Sequence, residues 1–127
     1  MGFAADSQAK AEFAYGQAMK GLESMRRAGV KLGFGMDLLG ETYVQRCREF
    51  TIRSDVFSPI EILRQVTSIG AEILMQQGAL GCIAPNAYAD LIVVDGDPLK
   101  DIGLLAQDGK RLSLIMKDGE MMKNGLH

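Results

Sequence analysis

Histidine occurs once in this sequence, as the terminal His127. A metal centre needs several convergent ligands in fixed geometry, and one histidine at a chain end, where a frayed tail or a tag remnant is the plain reading, cannot build one. Cysteine is nearly as scarce. Cys47 and Cys82 stand far apart with no neighbouring Cys or His, which excludes a zinc pattern and a disulfide framework and fits two reduced thiols in a reducing compartment. Long hydrophobic runs are missing as well: nothing approaches the roughly 18 uninterrupted apolar residues of a membrane span, and residues 1–20 hold no apolar core of a signal peptide. No membrane partner and a cytoplasmic location are therefore expected. Charge of one sign does not accumulate, since 14 Lys plus Arg face 16 Asp plus Glu for a formal net charge of -2. Without a basic run to track phosphates, nucleic acid is not an expected partner. Internal repeats and low-complexity segments are absent.

What remains is an ordinary globular composition. Hydrophobic residues make up 47% and charged residues 24% of 127 positions, so a packed core is expected. The length suits one domain and falls short of a complete catalytic barrel, which takes about 250 residues.

Ala11, Tyr15, Ala18, Leu22 and Met25 recur at alternating spacings of four and three, which predicts a helix over 7–28. Asp6 or Ser7 would cap its start, Arg26-Arg27 complement its dipole, and Gly29 supply its left-handed end. Val30 to Gly35 reads as a buried inner strand entered directly from that helix. Asp37 to Phe57 is polar and mixed, a long loop with room for one short helix, and such loops after strands usually carry function. Ser58-Pro59-Ile60-Glu61 is a helix start with a Ser cap, Pro at the first position and a capping-box Glu. Ile62, Val66, Ile69 and Ile73, beside Leu63 and Leu74, form its expected buried face, with a break marked by Gly70 and an end at Gly78. Helical spacing then gives way to short β-rich runs, so a boundary is expected between 1–77 and 78–127. Leu80 to Pro85 predicts a strand and a proline-limited turn. Leu91 to Val94 predicts a strand buried on both faces, bracketed by Asp90 and Asp95 as turn or cap residues. Arg111 to Met116 and Glu120 to Lys123 flank Asp118-Gly119, the signal of a type I′ hairpin.

Taken in order, the helix, the strand ending in Gly35-Met36-Asp37, the long loop, the Ser-Pro-capped helix and the string GALGCIAPNAYADLIVVDGDPL over 78–99 resemble the amidohydrolase superfamily. The similarity is greatest to its imidazolonepropionase-like and Xaa-Pro dipeptidase-like branch, and Leu114 to Glu120 is similar to the family's closing strand. The resemblance covers residues 11–124.

It implies an α/β fold: the end of a (β/α)8 barrel in residues 1–77, comprising a helix, the last barrel strand and a helix, followed by a partial β-sandwich in 78–127. It also implies a role for Asp37, which matches the family's aspartate at the end of the eighth strand. There the carboxylate touches the catalytic metal, takes a proton from the metal-bound water and passes it to the leaving amine. Barrel active sites lie at that end of the strands. Two departures stand beside the match: Met36 replaces the family's usual Thr or Ser, and the following loop offers Tyr43 where related sequences often have His.

A hydrolase of carbon-nitrogen bonds, using zinc or another divalent metal and acting on a small amide or dipeptide, is what the resemblance implies for a full-length parent. The family's His-x-His pair and later histidines have no counterpart here, so no cofactor is expected in this chain, which alone should be inactive. One barrel strand cannot close a barrel, and its open edges predict self-association into a homo-oligomer. The alternative is a non-catalytic, oligomerising α/β module. A small enzyme completing its site by oligomerisation is disfavoured, because added copies bring Asp37 and no ligand cluster.

Overall fold

The apolar positions from Ala11 to Met25 fold as helix α1, Ala5–Arg27, in a computed structural model that describes residues 5–35 and 40–126. Two compact units divide the chain, residues 1–31 and 32–127. The first is α1 with its C-terminal cap. Gly29 takes the left-handed conformation at φ +68°, its N–H donates to the Arg26 carbonyl, and the Val30 N–H donates to the Met25 carbonyl, each at 3.0 Å. These two bonds make a Schellman motif, which satisfies carbonyls the helix itself leaves open. Because α1 already includes Ala5, Asp6 and Ser7 lie in its first turn rather than before it, a correction to their expected capping role. Tyr15 and Met25, on the predicted stripe, are exposed.

The second unit begins with residues 32–35, which run as irregular chain. This corrects the expected strand from Val30 to Gly35. A barrel strand is bonded on both edges by parallel neighbours, and the described residues supply none. The expected loop holds two helical pieces instead of one: a 3₁₀ turn, Gly40–Gln45, and helix α2, Arg48–Ser54.

Helix α3, Pro59–Val66, starts as expected. Glu61 Oε2 accepts from the Ser58 backbone N–H at 2.8 Å and from its hydroxyl at 2.7 Å. The chain breaks at Thr67 (φ -118°, ψ -96°) before helix α4, Ser68–Ile73, and not at Gly70. The break falls at a β-branched pair, Val66-Thr67, where the loop through Gly81 closes so tightly on the Thr67 carbonyl that a Cβ on Gly81 would lie 2.4 Å from it. Helix α4 ends at Ile73 rather than Gly78. Met75 takes the left-handed position (φ 56°), with Gln76 N–H bonded to the Ala71 carbonyl at 2.8 Å and Met75 N–H to that of Glu72 at 3.0 Å. The expected apolar face is split: Ile62 is fully buried, whereas Val66, Ile73 and Leu74 are exposed.

Residues 80–85 form turns and open chain, not the expected strand; Leu80 keeps only a single bridge to Gln77. A three-stranded antiparallel sheet follows in the order β1-β2-β3, with β1 Leu91–Val94, β2 Leu112–Lys117 and β3 Glu120–Asn124. Asp118 (φ 50°) and Gly119 (φ 80°) turn the β2–β3 hairpin with both central residues left-handed, as a type I′ turn demands. Strand β1 pairs Ile92 with Ile115 and Val93 with Leu114, but Ile92 and Val93 remain exposed, which corrects the expectation of burial on both faces. Between β1 and β2 a second 3₁₀ turn, Ile102–Ala106, is capped by Asp101 Oδ1 accepting from Gly103 N–H at 2.9 Å. Among the described residues of this mixed α/β unit, Phe57, Ile62, Ala71, Ile102, Leu105 and Leu114 are the buried hydrophobic ones.

Candidate functional site

Asp37, the expected catalytic and metal-touching residue, lies outside the described residues, as do Met36 and His127. What is described is the setting on either side. Leu32, Gly33 and Phe34 are half-buried. A Cβ on Gly33 would stand 3.1 Å from Ile73 Cδ1, so glycine lets this run lie close to α4. Phe34 stacks on Phe50 of α2, with ring centroids 4.6 Å apart and planes tilted by 38°. Over the Phe34 ring sits the Arg53 guanidinium, its Cζ 5.0 Å from the centroid.

Arg53 is a buried cation, 7% exposed. Its Nε donates to Glu49 Oε1 at 2.7 Å, its second amino nitrogen approaches the same oxygen at 2.6 Å, and its first donates to Gln65 Oε1 at 2.5 Å. Such a charge is tolerated only when paired and hydrogen-bonded, and here both conditions hold. Glu49 and Arg53 stand four apart on α2, a spacing visible in the sequence, but the Gln65 contact crosses to α3 and left no local signal.

Beyond Asp37, Tyr43 is exposed, and Arg46 lies over its ring at 4.9 Å. Cys47 borders an apolar hollow of about 520 Å³ between the α2–α3 layer and the sheet, lined also by Phe50, Leu63, Val66, Ile92 and Leu105. Burial first, then the Asp108 carboxylate, raises the Cys47 thiol above its ordinary value and keeps it protonated. Cys82 is exposed, and both cysteines are free thiols.

Asp90 ties a turn, as expected, whereas the Asp95 side chain makes an ion pair and no turn or cap bond. Asp90 Oδ1 accepts from the Asp118 N–H at 2.6 Å and Oδ2 from Lys117 Nζ at 3.0 Å; the first contact, then the second, lowers the carboxyl below its ordinary value. Asp95 pairs with Arg111 at 3.2 Å. Among the described residues no three His, Cys, Asp or Glu side chains converge, so these residues do not by themselves fit a metal ion. No described helix is long and apolar enough to cross a membrane.

The profile of the amidohydrolase family matches residues 5–122. The chain belongs to the amidohydrolase family. Among solved amidohydrolase structures, one is 44% identical and superposes with a TM-score of 0.89, covering 99% of this chain and 30% of its own. A prolidase complexed with N-methylphosphonate-L-proline is 43% identical, with a TM-score of 0.86, 97% of this chain and 30% of that one covered. A Xaa-Pro dipeptidase with methionine bound in its active site is 25% identical, with a TM-score of 0.74 and coverage of 84% and 25%. The chain thus spans about 30% of the length of the first amidohydrolase it matches. No curated protein matches it.

Proposed function

We propose that the chain is the C-terminal portion of a metal-dependent amidohydrolase that hydrolyses the carbon-nitrogen bond of a small amide, with a dipeptide ending in proline as the favoured substrate class. The observation that carries this reading is the 43% identity over 97% of the chain to a prolidase complexed with a proline phosphonate. In the proposed parent, residues 1–77 are the end of a (β/α)8 barrel and 78–127 the last strands of a β-sandwich. The run 30–35 takes strand form only where barrel neighbours flank it. Zinc or another divalent metal would draw its other ligands from upstream chain, with Asp37 as this chain's share. Free thiols at Cys47 and Cys82 fit a cytoplasmic setting.

Asp37 would act on protons. As water adds to the amide carbon, the carboxylate takes a proton from it; as the carbon-nitrogen bond breaks, the carboxylic proton passes to the departing nitrogen, leaving an acid and an amine. The test joins residues 1–127 to an upstream barrel carrying the family histidines and compares turnover of a Xaa-Pro dipeptide with and without Asp37→Asn. The amide keeps the size of the carboxylate and cannot take the proton, so kcat should fall by about 10²- to 10⁴-fold. A variant that keeps more than about a tenth of the rate would overturn the assignment.

A further inference from the structure

We infer that Arg53 is a positioning residue for the run that leads into Asp37: its guanidinium, fixed by Glu49 and Gln65, holds Phe34 and with it residues 32–35 against α2. The inference rests on the reading of Asp37 as the proton carrier, because only then does the placement of this run bear on catalysis.

Three elements meet at one planar group. Glu49 belongs to α2, Gln65 to α3 and Phe34 to the irregular run, and Arg53 contacts all of them while 7% exposed. Stability alone is a poor account of a buried cation, since an apolar residue of like volume at such a site is often neutral or better. Directionality is the better account. A guanidinium presents donors in a fixed fork, so two hydrogen-bonded partners set its plane, and the plane sets where an aromatic face can stack. Phe34 takes that face, and its other contact, Phe50, lies one turn before Arg53 on the same helix. Gly33 completes the arrangement by letting the run approach Ile73 of α4. Asp37 follows Phe34 by three residues, within about 11 Å of chain.

The experiment uses the full 127-residue chain labelled with ¹⁵N, as wild type, Arg53→Lys, and the double variant Arg53→Met with Glu49→Gln. The double variant removes both charges, so no ion is left buried alone, and the β2–β3 hairpin reports whether the fold is kept. Lysine keeps the charge and lacks the fork. In wild type the backbone order parameters of residues 33–35 should sit near the rigid value of about 0.85, and in both variants they should fall below about 0.6, while those of β2 and β3 stay unchanged. Wild-type order in either variant, loss spread equally over the hairpin, or a flexible run in the wild type would each overturn the inference. In the extended enzyme Arg53→Lys should lower kcat for a Xaa-Pro dipeptide with KM little changed, a split that a merely structural role would not give, and an unchanged kcat would overturn the inference. A fully active Asp37→Asn there would remove the proton-carrier reading and leave the order-parameter result standing, so the two failures are distinguishable.

Discussion

Asp90 shows how one carboxylate can tie a strand to a turn seen nowhere near it in sequence. It stands just before β1, yet its two oxygens accept from the Asp118 backbone and the Lys117 ammonium at the β2–β3 turn. These contacts lower its carboxyl, so the folded chain binds a proton there less readily than the unfolded chain does. The stabilisation is then fully present above the ordinary carboxyl value of about 4 and is lost as pH falls through the lowered one. Asp90→Asn, which lacks the charge at every pH, should be less stable than wild type near neutrality. The gap should close as urea melts are repeated at falling pH, below about 4. A gap that stays constant with pH would rule out the charge as its source. Asp90 was legible as a structural residue because an Asp at a strand end is a common turn former. Arg53 was not legible, because what makes it special is burial between α2 and α3, which no local pattern encodes.

At the scale of elements, two glycines share a backbone conformation and differ in what surrounds them. Gly119 (φ +80°) has nothing within 4 Å of where a Cβ would stand, whereas at Gly81 (φ +69°) the Cβ would meet the Thr67 carbonyl at 2.4 Å. Alanine at Gly119 should therefore cost only the left-handed strain, about 1–2 kcal/mol. At Gly81 the same strain is joined by a clash with backbone that can move only by shifting the α3–α4 break. Gly81→Ala should thus lower the denaturation midpoint clearly more than Gly119→Ala, and equal midpoints would show that the loop relaxes freely. The same contrast explains which elements could be read from sequence. The Asp118-Gly119 turn and the Ser58-Pro59-Glu61 start are set by chemistry within four residues, and both form where expected. The Val30–Gly35 strand depended on partners far along a chain, and the α3–α4 break on a loop that returns from residue 81. Gly78 was expected to end the helix begun at Ser58, but the last helical residue is Ile73, and Met75 takes a positive φ before Gly78 is reached.

For the whole molecule, the distribution of apolar surface decides behaviour in solution. Only six hydrophobic residues are buried among those described, while Phe13, Val66, Ile73, Leu74, Ile83, Ile92 and Met122 are exposed. Among the described residues, each strand at an edge of the sheet, β1 and β3, also has one side with no strand beside it. Water tolerates scattered apolar side chains, but open strand edges beside apolar residues are templates for pairing with another chain. Strand β1 is the stronger template, being Leu-Ile-Val-Val with no charge in it, whereas β3 carries Glu120 and Lys123, residues that discourage edge pairing. Self-association is therefore expected to run through β1, giving a dimer or larger species in sedimentation at micromolar concentration. Val93→Lys, at an exposed position of that strand facing away from the apolar hollow, should shift the distribution toward monomer without unfolding the β2–β3 hairpin, which circular dichroism would register. A well-folded wild-type monomer across that concentration range would mean that the apolar surface tolerates water as it stands. Association unchanged by Val93→Lys would move the interface to another face.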